Sequence, residues 1–157
     1  MLELLRRVRA VADYQFGRGV GGKLFPDDVE IQVSPRTGRV RRIYLGGRLL
    51  ATLRPSDGLL ALTIEGGRRL QSILPPPSYR VVVHGRYGRH PAQGRNVLAR
   101  FVKSADPNIR PGEEVLVVDE RDQLLAVGKA VMAGDEMARF RSGVAVKVRH
   151  GVGWESL

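Results

Sequence analysis

The sequence predicts an α+β N-terminal domain, a helix plus an antiparallel meander, followed by a mainly-β small barrel. Three observations carry this. Residues 2–14 repeat apolar side chains at helical spacing. From residue 29 onward both halves break into short apolar runs divided by glycine- and proline-rich turns. Between them stands Pro75-Pro76-Pro77, a stiff connector poor in backbone donors.

In the first half, Leu2, Leu5, Val8, Val11 and Ala12 mark one helix face, with Arg6, Arg7 and Arg9 between them. The glycines of residues 17–22 end that helix and read as a flexible connection. Val29, Ile31 and Val33 alternate with polar residues as a first strand. After a turn at residues 34–38 come strands over 40–45 and 49–53, joined by Gly46-Gly47, which suits a two-residue hairpin. A turn at 55–58 precedes a strand over 59–64, and a short helix is expected over 66–73. The domains are set at 1–77 and 78–157.

The second half opens with an apolar strand over 79–83. A glycine-bearing loop, with at most one helical turn, covers 84–96. Strands follow over 97–102, 114–119, 124–132 and 144–149, with a tight connection at 107–112, a polar hairpin at 120–123 and a helical turn near 135–140. Strands this short and evenly spaced suit a closed or partly closed barrel.

The chain has 157 residues and 43% apolar content, enough for two small packed domains. Formal net charge is +10, from 26 basic against 16 acidic side chains, which favours a polyanionic partner. Almost all the basic residues are arginine, a planar fork suited to phosphate and base edges. Cysteine is absent, so disulfides, thiolate metal sites and cysteine nucleophiles are excluded from these residues. An intracellular, cytoplasmic protein is expected, with no membrane span and no signal-peptide order at the N-terminus.

The run Ile109-Arg110-Pro111-Gly112-Glu113-Glu114-Val115, with Val117-Val118-Asp119, Leu125-Ala126-Val127-Gly128-Lys129-Ala130 and Gly143-Val144-Ala145-Val146-Lys147-Val148-Arg149-His150-Gly151, resembles the PUA domain, a β-barrel module of RNA-modifying enzymes. In the first half Ala12-Asp13-Tyr14-Gln15-Phe16-Gly17, Leu24-Phe25-Pro26, Thr37-Gly38-Arg39-Val40-Arg41 and Leu50-Ala51-Thr52-Leu53-Arg54-Pro55-Ser56-Asp57-Gly58 resemble the domain that precedes PUA in archaeal tRNA-guanine transglycosylase. That family starts archaeosine formation in tRNA by exchanging a guanine base. The resemblance covers its two C-terminal domains. Its catalytic (β/α)₈ barrel, which needs roughly 200 residues or more, and its cysteine-rich zinc site have no counterpart in these residues. The expected roles are a fragment, a separately encoded subunit or a stand-alone relative.

The resemblance implies a groove for a tRNA acceptor stem and 3′ end along the loop and strand after it. The candidate RNA-binding residues there are Arg89, Gly94, Arg95, Asn96, Arg100 and Lys103, because glycine lets backbone N–H groups and a guanidinium approach a phosphate closely. Phe101 is the better core residue of the Arg100-Phe101 pair. Lys147, Arg149 and His150 end the last strand, with Lys147 and Arg149 expected on one face, which suits RNA phosphate or plain solvent equally. Arg36, Arg39, Arg41 and Arg42 form a secondary basic patch around one hairpin of the first domain.

Chemistry has no obvious owner. Glu113-Glu114 and Asp119-Glu120 are neighbours on strands and point to opposite faces, which suits no acid–base couple. His84, His90 and His150 lack metal-site spacing, and the glycine run before Lys23 does not match a P-loop. No catalytic residue, metal or cofactor is assigned. The leading expectation is a non-catalytic RNA-binding protein or subunit, acting on tRNA beside a separately encoded catalytic transglycosylase chain. A stand-alone PUA protein of ribosome assembly or translation, and a small RNA-modifying enzyme with an unrecognised site, are the alternatives.

Overall fold

The apolar stripe at the N-terminus forms helix α1, Leu2–Phe16, which buries Leu5, Val8, Ala12 and Phe16. In the computed structural model, which describes residues 2–153, the glycines that follow do not form a flexible connection. They open a second helix, α2, Val20–Leu24, after Gly19 in the left-handed region. The Asp13 carboxylate accepts a hydrogen bond from the Gly21 N–H at 2.7 Å and so fastens the start of α2 to α1. Gly21 is required by proximity, because a Cβ there would stand 2.2 Å from the Arg9 carbonyl oxygen. The glycines serve helix-to-helix contact, and the expectation of slack chain was wrong for that reason.

The four strands of this unit are β1 (Glu30–Val33), β2 (Val40–Leu45), β3 (Arg48–Leu53) and β4 (Leu60–Leu62). They pair in chain order and all antiparallel, the meander expected from the alternation and turns. The Gln15 side chain donates to the Leu60 carbonyl and accepts from the Leu60 N–H, at 2.9 and 2.8 Å, which ties α1 to buried β4. Helix α3, Ile64–Ile73, begins where the Thr63 hydroxyl accepts from the Gly66 N–H. Between β1 and β2 the register slips: Gln32 faces Arg42, but Val33 faces Val40. Arg41 is therefore the extra residue of a β-bulge, a device that re-aims a side chain.

The chain divides into two compact units between Ile73 and Leu74. The second holds β5 (Arg80–Val83), α4 (Arg89–Ala92), β6 (Val97–Leu98), β7 (Val102–Ala105), β8 (Glu114–Val118), β9 (Leu124–Ala130), α5 (Gly134–Met137) and β10 (Val144–Gly151). Its six strands run in the order β6-β10-β9-β8-β5-β7, with β5 and β8 parallel and the other pairs antiparallel. The strands at the two ends of that order, β6 and β7, are joined by a single 3₁₀ turn, Ala99–Phe101. The sheet therefore curls into a nearly closed barrel around Val81, Val117, Leu125, Ala145 and Val146. The single strand expected over 97–102 is broken at this turn, because β6 pairs with β10 and β7 pairs with β5.

Two ion pairs brace the barrel. Arg80 is 2% exposed. It donates to both Asp122 oxygens at 2.7 and 3.2 Å and to the carbonyls of Leu74 and Ser78. Arg149 does the same for Glu114, at 2.5 and 2.6 Å. Glu113 uses its carboxylate locally, accepting from the Arg110 N–H. Neither member of the Glu113-Glu114 pair is thus poised for proton transfer. Among the described residues, no helix is long and apolar enough to cross a membrane.

Candidate nucleic-acid interface

The segment after β5 builds an aromatic stack edged with cations. Phe101, 4% exposed, lies between two rings: Tyr87 at 4.5 Å and His90 at 5.0 Å between centroids, both near parallel. His84 meets Tyr87 edge-on at 6.4 Å. The Arg86 guanidinium sits 5.0 Å from the Tyr87 ring and that of Arg100 5.3 Å from the Phe101 ring. Both arginines are exposed, and Tyr87 and His90 are half-buried. Guanidinium planes and half-exposed rings are what unpaired bases and phosphates both use. Phe101 is a core residue, as expected, and Arg100 lies on the 3₁₀ turn rather than on a strand.

Lys103 lies beside this stack but is already engaged. Its ammonium is 2.8 Å from Glu120 Oε2, and Glu120 Oε1 accepts from the Gly85 N–H, also at 2.8 Å. The hydrogen bond from Lys103, and after it that from Gly85, holds the Glu120 carboxyl below its ordinary range. Much of the Lys103 charge is offset on the spot.

Arg89 opens α4 and is exposed. The chain then turns back: the Arg95 N–H donates to the His90 carbonyl, and Gly94 takes φ +88°. Asn96 has a bracing role, because its Oδ1 accepts from the Val148 N–H at 3.1 Å and pins the loop to β10. That seam brings Gly94, Arg95 and Asn96 next to the strand carrying Lys147, Arg149 and His150. Lys147 and His150 are exposed. Arg149 is the extra residue where the register shifts between Val148 and His150, and its guanidinium closes on Glu114.

The first unit has its own basic concavity. The turns after β1 and after β3 wall a groove of about 680 Å³, lined by Arg36, Arg39, Arg41 and Arg54 among others. Arg42 is not part of it, because it hydrogen-bonds Gln32 Oε1 at 3.1 Å. Of the four arginines expected around this hairpin, three converge and one does not.

Sequence reasoning missed Arg86, Tyr87, His90 and Arg54. The signal for the first three was present as basic and aromatic residues interleaved at Arg86-Tyr87, Arg89-His90 and Arg100-Phe101. Arg54 sits in a segment read only as a turn, and its approach to Arg36, Arg39 and Arg41 depends on β3 lying next to β2.

Comparison with known proteins places both units. Residues 6–77 match the patch-forming domain C2 of tRNA-guanine transglycosylase, and residues 79–152 match the PUA domain. The tRNA-guanine(15) transglycosylase of Methanothermobacter thermautotrophicus is 48% identical over 147 residues, 94% of this chain and 22% of the relative. That of Pyrococcus furiosus is 48% identical over 145 residues, 92% of this chain and 24% of the relative. The chain thus spans about a quarter of the length of these curated relatives. Among solved structures, a hypothetical protein of Pyrococcus horikoshii OT3 superposes with TM-score 0.75 at 26% identity, covering 96% of this chain and 91% of that one. A conserved PUA domain protein from Thermoplasma acidophilum superposes with TM-score 0.65 at 22% identity, covering 99% and 92%, a likeness of fold.

Proposed function

Since the chain is a PUA domain protein that resembles the C-terminal domains of archaeal tRNA-guanine transglycosylase, we propose that it is a non-catalytic RNA-binding protein or subunit whose ligand is tRNA, gripped at the acceptor stem and 3′ end in support of modification such as archaeosine formation. The observation that carries this is the Tyr87–Phe101–His90 stack with Arg86 and Arg100 over its faces. A base at a single-stranded end gains stacking there while the flanking phosphates meet guanidinium groups. The seam of Arg95 and Lys147, with His150 beside it, adds positive charge along the loop and β10 through its arginine and lysine. Its contacts are with backbone, so binding is shape-led and electrostatic. The catalytic step belongs to a separate transglycosylase chain, with which this one works in the cytoplasm.

The test is titration of labelled tRNA against the full chain at rising salt. Log affinity falls linearly with log salt if several phosphates are neutralised. Arg86→Glu combined with Arg100→Glu weakens binding roughly tenfold or more, and Lys103→Glu does less because Glu120 already holds that charge. A flat salt response, or full affinity in the double variant, removes this surface from the reading.

A second reading, a stand-alone PUA protein, is favoured by the Pyrococcus horikoshii chain, which this one covers over 91% of its length. Capture of a catalytic transglycosylase by the tagged chain from its host supports the subunit reading, and recovery of RNA alone supports the stand-alone one.

A further inference from the structure

We propose that the groove in the first unit is a second nucleic-acid site, built to hold an unpaired nucleotide of RNA. The proposal is independent of the surface on the second unit. Its rim is Arg36, Arg39 and Arg41, all exposed and, among the described residues, without a carboxylate partner. Arg54, which also lines the groove, meets Asp57, and elsewhere in the same unit Arg9 and Arg48 meet Asp27 and Glu65. The three rim cations are thus left unneutralised where the surface is concave, and a concavity of one sign focuses the field.

The floor is apolar. Pro35, Val40, Leu53 and Pro55 line the groove together with the arginines. This combination selects the ligand. Inorganic phosphate makes no use of an apolar floor. An acidic peptide brings charge without a flat apolar face. A duplex keeps its bases stacked inside. An unpaired nucleotide has a flat base for the proline and aliphatic surface and a phosphate for the arginines, and a volume of about 680 Å³ admits one or two such units.

Both walls of the groove are hydrogen-bonded turns. One wall is the turn in which the Gly38 N–H donates to the Ser34 carbonyl and the Ser34 N–H to the Arg39 carbonyl. The other is the turn in which the Gly58 N–H donates to the Arg54 carbonyl and Asp57 accepts from the Leu59 N–H. The bulge then turns Arg41 into the groove while its neighbour Arg42 is held by Gln32 outside it. Two adjacent residues of equal charge therefore face different surroundings, which supplies an internal control.

The experiment uses the full chain and a fluorescent five-nucleotide single-stranded RNA carrying one photoreactive base. The expected result is crosslinking to residues 34–58, a loss of about tenfold in affinity for Arg41→Glu and less than about twofold for Arg42→Glu, both variants melting like the parent. An abasic probe of the same length binds several-fold more weakly. The proposal is overturned if the two variants lose affinity equally, if no crosslink falls within 34–58 once Arg86 and Arg100 are charge-reversed, or if duplex RNA or a polyglutamate peptide competes there as well as the single strand. Charge reversal at Arg86 and Arg100 separates the two sites: a chain that ignores tRNA yet keeps the crosslink at 34–58 sinks the reading of the second unit and leaves this one standing.

Discussion

Arg149 closes on Glu114 through two parallel N–H···O bonds, and the carboxylate it holds is only 1% exposed. Removing the guanidinium leaves a buried charge without its partner. Arg149→Met is expected to destabilise the second unit by roughly 3–5 kcal/mol in urea unfolding. Replacing both residues, Arg149→Met with Glu114→Leu, recovers most of the loss. A single variant that unfolds like the parent refutes a bracing role, and weakened RNA binding by Arg149→Met says nothing of RNA contact until folding is checked.

The Glu120 carboxyl is held below its ordinary range, by Lys103 first and then by the Gly85 N–H. A depressed carboxyl keeps its contact above the ordinary carboxylate range and loses it as pH falls through the lowered midpoint. Titration of the Glu120 side chain by NMR should give a midpoint below that of a free glutamate, moving upward in Lys103→Met. An unmoved midpoint means that Lys103 does not hold it.

Adjacent glycines in α2 should respond oppositely to the same change. A Cβ at Gly21 meets the Arg9 carbonyl oxygen at 2.2 Å, whereas one at Gly22 meets nothing within 4 Å. Gly21→Ala should cost roughly 1–3 kcal/mol, because backbone has to move. Gly22→Ala should be neutral or stabilise by up to about 1 kcal/mol, since alanine is the better helix residue. Thermal melting of both variants decides it, and equal effects contradict the helix contact.

We propose Leu74 as the functional start of the PUA unit. The buried Arg80 donates to the Leu74 carbonyl at 2.8 Å, so a fragment beginning at Ser78 lacks an acceptor that one beginning at Leu74 keeps. The shorter fragment should be less stable by about 1–3 kcal/mol. Identical melting of the two places the boundary at the prolines instead.

Much of this architecture was legible because it rests on short-range pattern. The stripe from Leu5 to Phe16, the meander from Val33 to Leu62 and the inward place of Phe101 follow from periodicity and turn chemistry. What escaped depends on contacts remote in the chain. The glycines near Gly21 look slack until Arg9 stands beside them, and the strand at Val97 looks continuous until its two halves are seen to serve opposite ends of one sheet. The same holds for the sites. Lys103 and Arg149 are plain cations in sequence, and only Glu120 and Glu114 across the fold show how far each is committed. Arg54 joins the groove through strand pairing, which composition does not display.

The strand orders of the two units imply different schedules of assembly. Every pairing in the first sheet joins neighbours in the chain, so loop closure is brief and each hairpin can form as soon as the ribosome releases it. In the second sheet β5 can pair with β7 early, but its parallel ladder must wait for β8, and Val97 and Leu98 must wait for β10. The barrel is therefore a late, all-together event in the life of a nascent chain. A slow codon or a stalled ribosome just short of Val144 would leave its apolar strands waiting, with aggregation as the competing outcome.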